Sequence, residues 1–115
     1  MSSREKMQRI DNLLSHVWMV RTFLKHSEEG EEDDELNEVH RVLYDYMLAL
    51  GGPLQADDAE AYLKQARKKL TKLQSASHQF LEIQPEISTH MNFKMAAESL
   101  RTAVDEIQQL LADAD

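Results

Sequence analysis

Apolar residues recur along most of this chain at alternating steps of three and four positions, in four separate segments. The four series are Ile10, Leu13, Val17, Val20, Leu24; Leu36, Val39, Leu43, Tyr46, Leu50; Ala59, Leu63, Ala66, Leu70, Leu73, Ser77, Phe80; and His90, Phe93, Ala97, Leu100, Val104, Ile107, Leu111. This spacing places one apolar seam on each helix, as in helices that pack side by side at shallow angles. The pattern therefore predicts an all-α, up-down-up-down four-helix bundle with left-handed, heptad-like packing.

Glycine and proline positions divide the chain into four predicted helices, at about residues 3–27, 33–50, 57–82 and 86–112. Gly30 is expected to break the first helix, and the Gly-Gly-Pro run at 51–53 is expected to end the second. Pro85 marks the last connection, where a turn is favoured over a kink because a bundle buries all four seams. All 115 residues are expected to form a single helical-bundle domain.

The formal net charge of −8 comes mainly from one short segment. Residues 28–35 hold seven of the 21 acidic side chains, so the remaining 14 nearly balance the 13 basic ones. This acidic balance argues against a nucleic-acid partner, and no apolar run approaches the roughly 20 residues that cross a membrane. With no Cys and no recognisable signal peptide, the chain is expected to be cytoplasmic and to bind no membrane.

The first predicted helix carries apolar residues outside its seam, namely Leu14, Trp18, Met19 and Phe23. A helix that is apolar around much of its circumference is either central or covered by a second chain, and no helix is central in a four-helix bundle. Met19 and Phe23 are therefore predicted to belong to an interface with a protein partner or with a second copy in a homodimer. The alternative is that Trp18 and Phe23 pack at the flanks of the bundle and only Met19 is exposed.

The acidic segment offers a second contact surface. Glu31, Glu32 and Asp33 are candidates for a strip that docks a basic partner. The alternative is a solvated loop whose negative charge also favours the start of the second predicted helix.

Histidines near the helix 1–2 and helix 3–4 connections suggest a metal site at one end of the bundle. The candidate ligands are His26, His78, Glu82 and His90. Imidazole and carboxylate together suit zinc or iron, and His78 lies one helical turn from Glu82. No complete metal, nucleotide or catalytic motif is present, so no cofactor is predicted. The alternative is that these histidines cap helices or form hydrogen bonds at helix edges.

His40 lies beside the seam of the second predicted helix and is followed by Arg41. The segment from His40 to the glycines at 51–52 resembles the reactive helix of histidine phosphotransfer domains, which are four-helix bundles of about this length. The resemblance implies a phosphotransfer role for His40. That family has a lysine three residues after the histidine and a small residue four after it, where this chain has Leu43 and Tyr44.

These patterns favour a small binding or adaptor protein that acts through protein–protein contacts, rather than an enzyme. Two alternatives stay open. One is a metal-binding bundle with a His and carboxylate site near the two connections, and the other is a phosphotransfer-like module that uses His40.

Overall fold

The computed structural model of the chain describes residues 1–112. All of the regular secondary structure in that range is helical. The helices are α1 (Ser3–Lys25), α2 (Glu28–Glu32), α3 (Asp34–Gln55), α4 (Ala59–Lys68), α5 (Leu70–Ile87) and α6 (Met91–Ala112). The predicted all-α fold class is confirmed for this part of the chain. None of these helices is long and apolar enough to span a bilayer.

The four predicted seams supply the hydrophobic core. All members of the first seam, on α1, and of the second, on α3, are buried. In the other two seams, Ala59 and Leu70 are only partly buried and His90 is exposed. α1 packs against α3 and α6, and α5 packs against the same two helices. Burial of this apolar surface, at roughly 25 cal/mol per Å², is the main favourable contribution to folding.

The acidic segment forms a short helix of its own. α1 ends at Lys25 rather than at 27, and the Ser27 hydroxyl caps α2 by accepting a hydrogen bond from the Gly30 amide at 2.9 Å. Gly30 is buried inside α2, where a Cβ atom would clash with the Leu24 carbonyl oxygen. Gly30 therefore permits a close backbone approach at this corner and does not act as the predicted helix breaker.

The prediction that residues 51–53 end the second helix is corrected by the structure, since α3 continues through them to Gln55. A proline disfavours helical geometry in the preceding residue because its Cδ clashes with that residue's Cβ. Gly52 has no Cβ, so this restriction is relieved. Pro53 lies in the last turn of α3, where its missing N–H removes only one helical hydrogen bond.

The predicted third helix is divided into α4 and α5 at Lys69. Next to this break, the buried Tyr46 hydroxyl donates a hydrogen bond to the Ala66 carbonyl oxygen at 3.1 Å. A side chain that binds a helical carbonyl competes with the backbone hydrogen-bond ladder and bends the helix there. Tyr46, on the neighbouring helix α3, therefore explains the break. No residue within 57–82 signals it, because the contact comes from another helix.

Pro85 lies inside α5 rather than in a connection, and α6 begins at Met91 rather than at 86. The predicted turn at Pro85 is thus displaced to residues 88–90. The end of α5 is closed by Gln84, whose side chain donates a hydrogen bond to the Ser88 carbonyl oxygen at 2.8 Å. Because a proline in the last turn removes few helical hydrogen bonds, it does not end the helix at its own position.

Gly51 and Gly30 are expected to respond in opposite directions to alanine substitution. A Cβ on Gly51 would meet no atom within 4 Å, so Gly51→Ala gains helix propensity and stabilises the fold by up to about 1 kcal/mol. Gly30→Ala forces a Cβ against the Leu24 carbonyl and destabilises the fold by about 1–3 kcal/mol. Urea unfolding at low protein concentration, followed by circular dichroism, measures both free energies. Equal effects of the two substitutions would contradict these roles.

Candidate functional site

An exposed apolar face runs along α1 and α3 on the outside of the fold. Trp18 is 48% exposed and Leu48 is 65% exposed, and Tyr44 and Leu54 are also exposed. On α3, Tyr44, Leu48 and Gly51 follow one another at steps of four and three, the spacing of an apolar seam that faces away from the core. We define the α1–α3 face by Asp11, Ser15, Trp18 and Arg21 on α1 and by Tyr44, Leu48, Gly51 and Leu54 on α3.

The Arg21 guanidinium group contacts two aromatic rings at one end of this face. Its central carbon lies 5.1 Å from the centroid of the Trp18 ring and 4.7 Å from that of Tyr44. Cation–π contacts contribute about 0.5–1 kcal/mol each at exposed sites. No acidic side chain among residues 1–112 forms an ion pair with Arg21. The contacts therefore restrain both rings, and the positive charge of Arg21 has no acidic partner within residues 1–112.

A groove of about 300 Å³ occupies the other end of the α1–α3 face. Its lining consists of Asp11, Leu14, Ser15, Leu50, Gly51 and Leu54, with Trp18 and Met47 closing the end nearer to Arg21. Since Gly51 has no side chain, the backbone of α3 is exposed to the groove. Asp11 supplies a carboxyl group there. Burial raises the pKa of the nearby Tyr62 hydroxyl, and the charge of Asp11 raises it further.

α1 and α3 run antiparallel along this face. Arg21, in the C-terminal part of α1, contacts Tyr44, whereas Arg4, at the start of α1, forms an ion pair at 2.7 Å with Asp57, which follows α3. The face therefore has two unlike halves. The raised half consists of Arg21, Tyr44 and Leu48, which line no part of the groove, with Trp18 at its border, and the recessed half consists of Asp11, Ser15, Gly51 and Leu54.

The predicted interface residues on the first helix have different environments. Met19 is 65% exposed and lies outside the α1–α3 face. Phe23 is half-buried, and its ring packs edge-on against Phe93 of α6, with the ring centroids 4.9 Å apart. Part of the Phe23 side chain is thus used for packing at the flank of the fold. Trp18 and Met19, rather than Met19 and Phe23, are the exposed apolar residues on α1.

The predicted acidic contact residues also differ in their roles. Asp33 caps α3, because its carboxylate accepts a hydrogen bond from the Leu36 amide at 3.0 Å. Glu31 and Glu32, at the C-terminal end of α2, are exposed. Of the three predicted contact residues, therefore, Glu31 and Glu32 carry a charge that is not used for capping.

The predicted metal ligands His26, His78, Glu82 and His90 are all exposed. His26 follows the last turn of α1, and His90 Nδ1 accepts a hydrogen bond from the Asn92 amide at 3.0 Å. No group of three or more His, Asp or Glu side chains suited to a metal ion occurs among residues 1–112. His90 therefore has the capping role that was the alternative to metal binding. The zinc or iron site stays a prediction, and the geometry of residues 1–112 gives it no support.

His40 is half-buried on α3, close to Arg21. Its Nε2 lies 2.7 Å from Asn37 Oδ1, and its Nδ1 is buried with no hydrogen-bond partner in the described part of the chain. Desolvation lowers the pKa of the His40 imidazole, and the positive charges of Arg21 and Arg41 lower it further. Because one ring nitrogen is engaged and the other is enclosed, the geometry gives no support to phosphotransfer at His40.

A scan against protein-family models and searches of curated proteins and of solved structures return no match to this chain. The functional assignment therefore depends on the geometry and chemistry of the chain itself.

The sequence prediction missed Tyr44, Leu48 and Gly51 as surface residues of one face. Their spacing of four and three was visible, but it lies beside the stronger buried seam of the same helix. The partner residues Trp18 and Arg21 could be joined to them only through the register of α1 against α3. That register is set by tertiary contacts and has no local signal in the sequence.

The lowered pKa of His40 predicts a loss of stability in mild acid. The unfolded chain, with an ordinary histidine pKa of about 6.5, binds a proton more readily than the folded chain. The stabilising contribution of neutral His40 is therefore complete above about pH 6.5 and declines as the pH falls below it. Urea unfolding at about pH 7 and pH 5.5 should show a larger loss for the wild type than for His40→Gln.

The other four histidines are common to both proteins in that comparison, so their contributions cancel. An equal loss of stability in the two proteins would show that His40 is not the group responsible.

Proposed function

We propose that this chain is a small helical protein-interaction module, without a reaction of its own, that binds another polypeptide through the α1–α3 face. The observation that carries the proposal is the contact of Arg21 with Trp18 and Tyr44, beside the exposed Leu48. Trp, Tyr and Arg are the residues that most often dominate binding energy at protein interfaces. A contiguous apolar patch rimmed by polar residues is typical of a surface that another molecule covers.

We also propose a specific architecture for the chain, an up-down-up-down four-helix bundle with left-handed, heptad-like packing. Its four rods are α1, α3, the pair α4 and α5, and α6. The antiparallel contacts of α1 support it, because Arg9 pairs with Glu106 near one end of α6 and Phe23 packs on Phe93 near the other. A bundle of this kind presents the α1–α3 face already formed, which reduces the conformational entropy lost on binding.

The acidic corner has a secondary part in this proposal. Glu31 and Glu32 would steer a partner with a basic edge, whereas Asp33 is engaged in capping. Charges at the rim of an interface change the association rate more than the affinity. The absence of Cys supports the cytoplasm as the proposed location.

Site-specific photocrosslinking in living cells tests the choice of face. A photoreactive benzophenone amino acid is placed at Leu48 on the α1–α3 face, at the equally exposed Met19 outside it, or at the exposed Gln109 on α6. Irradiation is expected to give discrete protein adducts from position 48 and none from positions 19 and 109, because only the first is covered by a partner.

Two photocrosslinking results would contradict the proposed binding role of the α1–α3 face. Adducts from position 19 without adducts from position 48 would move the binding surface to the other side of α1. An absence of adducts from position 48, in a chain that is folded and abundant, would refute the proposed interaction role of the α1–α3 face.

A further inference from the structure

We infer that the occupant of the α1–α3 face is a second copy of this chain, related to the first by a two-fold axis that lies in the plane of the face and crosses the helices. The inference rests on the proposed function, because it names the partner of the same face. A two-fold interface uses one patch on both copies, so that patch must be complementary to itself. The α1–α3 face meets this requirement in both shape and charge.

The shape of the face is self-complementary because its raised and recessed halves lie at opposite ends. The proposed axis reverses the helix direction, so that α1 faces α1 and α3 faces α3, each pair antiparallel. Through a centre between Leu48 and Gly51, the axis brings Leu48 of each copy onto Gly51 of the other. It also brings Tyr44 opposite Leu54, and Trp18 opposite the part of the groove beside Ser15.

Gly51 leaves room for the second copy in this arrangement; Gly52 has the same open space but precedes Pro53. Gly51 lies in the interior of α3, where glycine is less favourable than alanine, and it has open space where a Cβ would lie. Packing within one copy therefore gives no reason for a glycine at this position. In the proposed dimer, the open space receives the Leu48 side chain of the second copy, as a knob enters a hole.

The charges of the face complement each other under the same symmetry. Arg21 lies at the raised end and has no ion-pair partner among residues 1–112. Asp11 lies at the recessed end. The two-fold axis places Arg21 of each copy beside Asp11 of the other, which forms two symmetry-related ion pairs.

Sedimentation equilibrium of the purified full chain tests the inference. A concentration series from about 1 to 500 µM covers dissociation constants in the micromolar range. The wild type is expected to be in a reversible equilibrium between monomer and dimer. Leu48→Glu should raise the dissociation constant about a hundredfold, because it buries an unpaired charge. Met19→Glu, at a residue with the same 65% exposure, should leave the dissociation constant unchanged.

Two further variants separate this geometry from other dimers. Gly51→Gln keeps a good helix former in α3 but fills the hole, so the folded monomer is retained while dimerisation weakens about tenfold or more. Asp11→Arg and Arg21→Glu each place like charges together and should weaken the dimer, while the double variant should recover most of the affinity. Thermal unfolding of each variant controls for loss of the fold.

Three results separate a failure of the proposed dimer from a failure of the proposed interaction role. A wild type that is monomeric throughout the series, but still gives adducts with other proteins from position 48, refutes the dimer and leaves the interaction role standing. A dimer that Met19→Glu disrupts and Leu48→Glu does not would refute the assignment to the α1–α3 face. A monomer that gives no adduct from position 48 refutes both.

Discussion

The antiparallel register of α1 against α3 is the constraint on which the surface of this protein depends. The buried seams of the two helices set this register, and the contact of Arg21 with Tyr44 near one end and the exposed ion pair of Arg4 with Asp57 at the other end mark it. A shift of one helical turn, about 5.4 Å, would separate the guanidinium from one of its rings and move the groove away from Gly51. The division of the face into a raised and a recessed half is therefore a consequence of helix packing, and the proposed binding depends on that division.

Arg21 also links this face to the interior. Its charge lowers the pKa of His40, which is half-buried on α3, after the larger effect of burial itself. A protonated His40 would add a second positive charge next to a guanidinium that forms no ion pair in the described part of the chain. The neutral imidazole, held by Asn37, avoids that repulsion. Burial and the charge of Arg21 thus both favour the neutral form of His40.

The core of this protein was predictable from the sequence, because burial follows the spacing of apolar residues. The seams on α1 and α3 are buried throughout, as their three- and four-residue steps require. The helix ends were less predictable, since each depends on a contact that spacing does not encode. Gly52 allows α3 to continue through Pro53, and Tyr46 of α3 contacts Ala66 beside the break between α4 and α5. The exposed seam was missed for a related reason: Trp18 and Leu48 form one surface only when two helices are packed in register.

A dilution series, followed by the amide and Trp18 indole resonances in two-dimensional NMR, would show directly whether two copies of the α1–α3 face bind each other. We expect concentration-dependent shifts confined to residues 11–21 of α1 and 44–54 of α3, with the Trp18 indole signal among the largest because it is covered in the proposed dimer. Resonances of α6 around Met91 and Met95, which are also exposed, should not move. Spectra that are independent of concentration, or shifts centred on the α6 methionines and Met19, would contradict the proposed dimer.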